Sequence, residues 1–277
     1  MAMTSVCPLL KVRFLTLFIL LPVMMSGQNP YALSAGAREA SMAYADIASA
    51  GFWSSFHNQA LLGYYKNFTL AMSHESRFGI AELSNKTFGL IIPSGHGSIG
   101  AAYSYYGYSD FNRHTAALAY GMMIGENITA GVQADLYSTR QWGNYSNYNE
   151  ITFEAGLTWQ PADPLTLAFH LYNPLPPPVR PENIPTVIST GLSYRFSERF
   201  MAAFEYAAGS NQINSLKAGC EGQVLDLLFL RGGLMTEPFG YSFGAGYRSR
   251  LFQADLSFIT HENLGLTPSV SLLVNIK

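Results

Sequence analysis

Residues 151–159, ITFEAGLTW, alternate strictly: Ile151, Phe153, Ala155, Leu157 and Trp159 share one face of an extended chain, and Thr152, Glu154, Gly156 and Thr158 share the other. Successive side chains of a strand point to opposite faces, whereas an amphipathic helix repeats every 3.6 residues, so this segment reads as a strand with two unlike faces. The pattern recurs along the chain. Ile128 to Leu136 sets Ile, Ala, Val, Ala and Leu against Thr129, Gly131, Gln133 and Asp135; Leu165 to Leu171 and Phe252 to Phe258 behave in the same way. Turn residues separate segments near 68–74, 85–92, 97–106, 113–124, 127–138, 148–159, 164–172, 186–196, 199–208, 213–222, 225–235, 239–248, 250–260 and 268–276. They number fourteen, an even count, and most come near the roughly 9–11 residues that a tilted strand needs to cross a bilayer. The expectation is an all-β fold: a 14-stranded antiparallel transmembrane β-barrel over residues 67–277.

Composition separates this barrel from a soluble β-sandwich. A sandwich buries its apolar face and presents a charged one to water. Here only 12% of residues are charged while 14% are aromatic, and the faces opposite the apolar ones are small, Gly-rich and sparsely charged, as a barrel lumen can be. Connections alternate as well: ESRFGIAELSN, TRQWGNYSN and NPLPPPVRPENIP are long, whereas PSGHG, IGEN, QPADP, SER and RSR are short. Outer-membrane barrels pair short periplasmic turns with longer outer loops, which orients the chain. Tyr103, Tyr105, Tyr106, Tyr108, Trp142 and Trp159 lie near segment ends and suit an interfacial aromatic girdle. A net charge of −2 without any long run of like charge argues against a nucleic-acid partner.

The first 66 residues have no period-two pattern. Lys11 and Arg13 precede an apolar run from Phe14 to Met25, followed by Ser26 and Gly27. This is the layout of a secretory signal peptide over 1–27, and the run is short of the roughly 20 residues of a membrane-spanning helix. Cys7 falls in that segment, leaving Cys220 without a partner for a disulfide or a cysteine zinc site. Residues 28–66, rich in Ala, Ser and Gly, read as a short helical plug, with Ala37 to Ala48 helix-compatible and Gly51 a plausible stop.

The stretch SGHGSIG carries Gly95, Gly97 and Gly100 in the G-x-G-x-x-G spacing of dinucleotide-binding loops. That motif needs a helix after its last glycine. AAYSYYGYS follows instead, so the expectation is a hairpin turn in which Gly95 and Gly97 adopt positive φ and Gly100 is a small luminal residue. The histidines are scattered, and neither a G-x-S-x-G elbow nor H-E-x-x-H occurs. No enzyme activity, catalytic residue, metal or cofactor is expected.

The alternation places Asp135, Glu154, Arg195, Glu205, Lys217, Glu221, Arg231 and Asp255 on luminal faces, with His170 nearby. A lumen tolerates these only when they pair or meet water. They could form a satisfied polar network that holds the plug, line a substrate or ion path, or include catalytic carboxylates; the first reading is the simplest.

The segment GAREASMAYADIASAGFWSSFHNQALLG, with Gly36, Ala37 and Arg38, then Met42, Trp53, and Asn58, Gln59, Ala60 and Leu61, resembles the N-terminal signature of FadL-like outer-membrane barrels, especially the PorV and PorQ branch of type IX secretion proteins. Gln59 stands where that signature has Pro. The tail GYSFGAGYRSRLFQADLSFITHENLGLTPSVSLLVNIK is similar to the same branch. The resemblance implies residence in the outer membrane of a Gram-negative bacterium, contact with outer-membrane lipid, and a non-enzymatic role docking a protein partner or cargo in a secretion or surface-attachment system. The alternative it implies is a transporter of long-chain fatty acids or other hydrophobic small molecules. Short outer loops, without the long ones that form a ligand-capture groove, favour docking.

Overall fold

The computed structural model describes residues 33–142, 147–174, 184–210 and 214–276. The signal-peptide assignment and most of the Pro-rich connection lie outside these residues. Fourteen strands close into a single antiparallel barrel in which each pairs with its sequence neighbours and the first pairs with the last. They are β1 (Phe68–Ser76), β2 (Ser84–Pro93), β3 (Ser98–Gly107), β4 (Phe111–Met123), β5 (Ile128–Gln141), β6 (Tyr148–Ala162), β7 (Leu165–Tyr172), β8 (Val187–Ser197), β9 (Phe200–Gly209), β10 (Asn214–Leu225), β11 (Leu228–Thr236), β12 (Phe239–Arg248), β13 (Phe252–His261) and β14 (Gly265–Ile276). Closure leaves no edge strand with unpaired backbone groups, which a hydrocarbon surround requires.

The two faces divide as the alternation dictates. On β5 and β6, Thr129, Gln133, Asp135, Thr152, Glu154 and Thr158 are buried in the lumen, while Val132, Leu136, Ile151, Phe153 and Leu157 point outward and are exposed. Leu118 is 62% exposed and Leu234 56%. An apolar surface this continuous is stable against lipid chains and would be unstable against water. No helix among the described residues is long and apolar enough to cross a membrane. Three residues correct the sequence reading of the girdle and the hairpin. Tyr106 faces the lumen beneath the Arg77 guanidinium, 5.1 Å from its ring centroid. Gly95 and Gly97 do not take positive φ; Ser94 closes that turn by donating from its backbone N–H to the Gly97 carbonyl at 2.6 Å. Gly97 is needed for space, because a Cβ there would strike the Gly121 carbonyl oxygen.

Phe68 of β1 lies opposite Ile276 of β14, so the strands begin and end at one mouth, the turn end, which also carries the short connections 94–97, 163–164 and 198–199. The opposite mouth, the loop end, carries the 173–186 connection. Residues 33–66 fold back into the lumen as α1 (Ala37–Ser41), α2 (Ser54–His57) and a 3-10 turn over Gln59–Tyr64. The expected helix over 37–48 therefore stops at Ser41. Ala43 and Tyr44 take left-handed φ values of 55° and 56°, a conformation that ends a right-handed helix. That reversal turns Met42 to the barrel wall and lets the Tyr44 hydroxyl donate to Glu75 Oε2 at 2.9 Å.

Candidate ligand path through the barrel lumen

The plug is seated by small wall residues. A Cβ on Gly131 or Gly156 would overlap the plug backbone or side chain at Asn58, Gln59 and Ala60, and one on Gly219 or Gly233 would overlap Met42. The Gly-rich luminal faces are thus the socket of the plug. Trp53, Asn58, Ala60 and Leu61 are all buried in this interface. Trp53 stacks edge-on with Phe52 at 4.9 Å. Asn58 locks the local fold: its Oδ1 accepts from the Ala60 backbone N–H at 3.2 Å, and its Nδ2 donates to the Ile47 carbonyl at 2.8 Å. Gln59 donates from Nε2 to Glu154 Oε2 at 2.6 Å, so the amide tethers the plug to β6.

The expected luminal charges form two groups, each completed by plug residues. Toward the turn end, Glu221 Oε2 accepts from Arg38 Nε at 2.9 Å and Arg231 Nε at 2.6 Å, with Arg248 Nη2 at 3.6 Å; Arg231 also donates to Asp255 at 2.8 Å. Deeper in, Lys217 Nζ meets Glu205 at 2.8 Å, Glu205 accepts from the Asp46 backbone N–H at 3.3 Å, and Asp46 pairs with His57 at 2.7 Å. Glu154 pairs with His170 at 2.9 Å, and Asp135 accepts from Gln133 at 2.8 Å. Arg195 is the exception: it has luminal parity, but it is exposed at the turn-end mouth and joins neither group. The alternation of the strands does not identify Arg38, Asp46 and His57 as the partners. The signal was available in one respect only, since isolated luminal charges demand counter-charges and the plug is the other chain segment in reach.

The plug pair titrates in a readable way. Burial disfavours charged His57, but the Asp46 carboxylate outweighs it and raises the imidazolium to about 9 from 6.5. Burial likewise opposes the Asp46 charge, and His57 holds its pKa below the ordinary 3.8. Burial pushes Glu39 above 4.5, with Arg38 offsetting it only in part. A raised histidine stabilises fully below its unfolded value and loses that contribution as pH climbs through its folded one, whereas a depressed carboxylate loses its contribution on acidification. The stabilisation from His57 is therefore present below about 6.5 and lost by about pH 10. The difference in thermal midpoint between wild type and His57→Gln should be largest near pH 6 and vanish near pH 10; a difference independent of pH would show that the pair does not hold the plug.

Two cavities flank the plug. The loop-end cavity, about 150 Å³, has walls of Tyr172, Val187, Ala207, Ile47 and Phe56 over a floor that includes His57 and Lys217. The turn-end cavity, about 430 Å³, runs from Arg38 and Ala48 to Arg195 and Arg199. The plug segment 46–49 lies between them, contributing Asp46 and Ile47 to one and Ala48 and Ser49 to the other. It is pinned by the Asn58 bond to Ile47 and by Ser193 Oγ, which donates to the Ala48 carbonyl at 2.7 Å. Such an arrangement can hold a small apolar molecule on one side and pass it to the other if the segment moves. Among the described residues no group of three or more His, Cys, Asp or Glu side chains is placed to hold a metal ion.

No family model and no curated protein matches the chain. Solved structures do. The CymD monoaromatic hydrocarbon channel superposes with a TM-score of 0.70 at 12% identity, covering 89% of this chain and 98% of that one. A Pseudomonas aeruginosa FadL homologue gives 0.62 at 11%, over 88% of this chain and 98% of that one. The P. putida toluene transporter TodX gives 0.58 at 12%, over 79% and 92%. At these identities the likeness establishes the fold, a FadL-like barrel.

Proposed function

We propose that the protein is an outer-membrane channel of a Gram-negative bacterium that admits small hydrophobic molecules, with residues 33–66 as its internal gate. The observation that carries this reading is the loop-end cavity: about 150 Å³, separated from the turn-end cavity by plug segment 46–49, with Ile47, Phe56, Tyr172, Val187 and Ala207 forming an apolar wall opposite polar groups that include Asp46, His57, Glu154, Glu205 and Lys217. A cavity of about that volume has room for a molecule the size of benzene. The named neighbours, a monoaromatic hydrocarbon channel and a toluene transporter, support a ligand of this size and character. The docking role implied by the resemblance to PorV and PorQ has no comparable observation behind it, and the channel reading takes its place.

Filling the cavity tests the proposal. Ala207 is buried among Tyr172, Val187 and Ile184, and Ala207→Phe would occupy the space a ligand needs. Uptake of a radiolabelled monoaromatic hydrocarbon by cells expressing the variant should fall by about tenfold or more, the equivalent of one overpacked site. Unchanged uptake, with the variant present in the membrane at wild-type level, would refute passage through this cavity.

A further inference from the structure

The outward face carries its basic side chains on one side only. Among the described strand residues, the outward positions with a basic nitrogen are His74 on β1, Lys86 on β2, His114 on β4 and Arg140 on β5, and no carboxylate faces outward. Register sets the first three in one row: His74 opposite Lys86, Lys86 opposite Tyr105, and Tyr105 opposite His114. Directly opposed side chains of this kind stand about 5 Å apart. Arg140, opposite Asn112, lies two residues nearer the loop end than Ser138, the partner of His114.

The next row toward the turn end is apolar: Met72 opposite Phe88, Phe88 opposite Tyr103, and Ala116 opposite Leu136. A groove of about 640 Å³ on this side of the barrel spans both rows, with Met72, Phe88, Tyr103, Val270 and Leu272 on its apolar part and His74, Lys86 and Tyr105 at its rim. His114 organises the rim. Its Nδ1 lies 2.5 Å from the Tyr103 hydroxyl and its Nε2 3.1 Å from Asn112 Oδ1, so both ring nitrogens are engaged. Lys86 and Arg140 are exposed, and neither is paired with a carboxylate among the described residues.

A cation on the lipid face is costly at the bilayer centre and nearly free near the interface. Two cations there, Lys86 and Arg140, without a counter-ion attract anionic headgroups. Elsewhere around the barrel the corresponding outward positions are uncharged, for example Tyr206, Leu216, Leu234 and Tyr241 together with Thr190, Thr236 and Thr260. The asymmetry therefore has a direction, and it adjoins an apolar groove.

We propose that the face from β14 through β1 to β5 binds an anionic lipid of the outer leaflet that bears two phosphates, with an acyl chain along Met72, Phe88 and Leu272, one phosphate on Lys86 and the other on Arg140, three strands away. The site lies outside the lumen, and it rests on the channel reading only in taking the loop end to face outward.

Full-length protein purified in detergent and titrated with bis-phosphorylated lipid A, followed by native mass spectrometry, tests it. Wild type should retain lipid A in preference to the same lipid stripped of its phosphates. Each cation contributes about a fivefold gain, so Lys86→Gln with Arg140→Gln should lower retention about 25-fold. Phe88→Ser should weaken retention while preserving the preference for phosphate. All variants should keep the heat-modifiable gel mobility of a folded barrel. Equal retention by the double variant, equal retention of the dephosphorylated lipid, or displacement by millimolar inorganic phosphate would each overturn the proposal. Selective retention of phosphatidylglycerol over lipid A would overturn the outer-leaflet assignment. Hydrocarbon uptake separates the two sites: the double variant should transport normally, and Ala207→Phe should bind lipid A normally.

Discussion

Glu221→Ala is expected to destabilise the folded protein by about 3–5 kcal/mol, the cost of removing one partner from a buried ion pair. One carboxylate oxygen of Glu221 receives Arg38 Nε at 2.9 Å and Arg231 Nε at 2.6 Å, with Arg248 Nη2 at 3.6 Å. The Arg231 side chain is 0% exposed and that of Arg38 6%, so neither guanidinium can recover its hydration in the mutant. Asp255 remains to Arg231, but Arg38 keeps only the neutral Ser49 hydroxyl at 3.0 Å and, as counter-charge, Glu39, whose nearest approach is 3.6 Å and whose carboxyl burial pushes toward the neutral form. Arg248 is more than a third exposed, and its share of the effect is correspondingly small. Since Arg38 belongs to the plug and Arg231 to β11, the loss should appear in both: a lower urea midpoint for the barrel in micelles and faster proteolysis within residues 33–66. Glu221→Gln, which keeps the shape and one acceptor, should fall between. A shift below about 1 kcal/mol, the range of an exposed pair, would mean that water reaches the cluster and screens it.

Much of the architecture is legible in the sequence because two different surroundings act on alternate residues. Val132 and Leu136 meet lipid while Gln133 and Asp135 meet the lumen, and period two records that difference directly. The same rule fails for depth. Arg195 shares luminal parity with buried Ser193 yet lies exposed at the mouth, because alternation specifies the face of a residue and says nothing about how far along the strand the plug extends. The plug is hard to read for a related reason. Its residues are enclosed on all sides by the barrel, so no single face is selected and no period appears; Arg38, Asp46 and His57 become intelligible only when Glu221, Glu205 and Lys217 are placed around them. The helix expected over 37–48 is broken by contacts at Met42 and Tyr44 that local propensity does not contain. Gly131 and Gly156 were visible as small luminal residues, but their purpose lies in a segment some 70 or more residues earlier in the chain.

That purpose makes Gly131→Leu the more informative change for function. A Cβ at position 131 would fall 2.8 Å from the Ala60 backbone nitrogen and closer still to the Gln59 carbonyl. Real Cβ contacts are not that short, and here the obstructing atoms are backbone. Gln59 cannot swing aside cheaply, because its side chain is bonded to Glu154 and the adjacent Asn58 is bonded to Ile47. A leucine adds three further carbons into the same space, and overpacking of this kind costs about 1–3 kcal/mol where the neighbours can yield. The plug is the element that can yield, since the wall is held by the β4–β5 and β5–β6 ladders on both sides. Gly131→Leu should therefore leave the barrel closed and folded while displacing residues 58–62 and, through Asn58, the segment 46–49 that separates the two cavities. In planar bilayers the variant should show sustained ion conductance where the wild type shows little, and Trp53, buried in the plug interface, should shift its emission to longer wavelength. Gly232→Ala is the matched control. A Cβ there meets nothing nearer than 3.8 Å, so conductance and emission should both remain at wild-type values. If Gly131→Leu conducts no more than this control, the plug is not what closes the lumen, and the proposed gate at residues 46–49 fails with it.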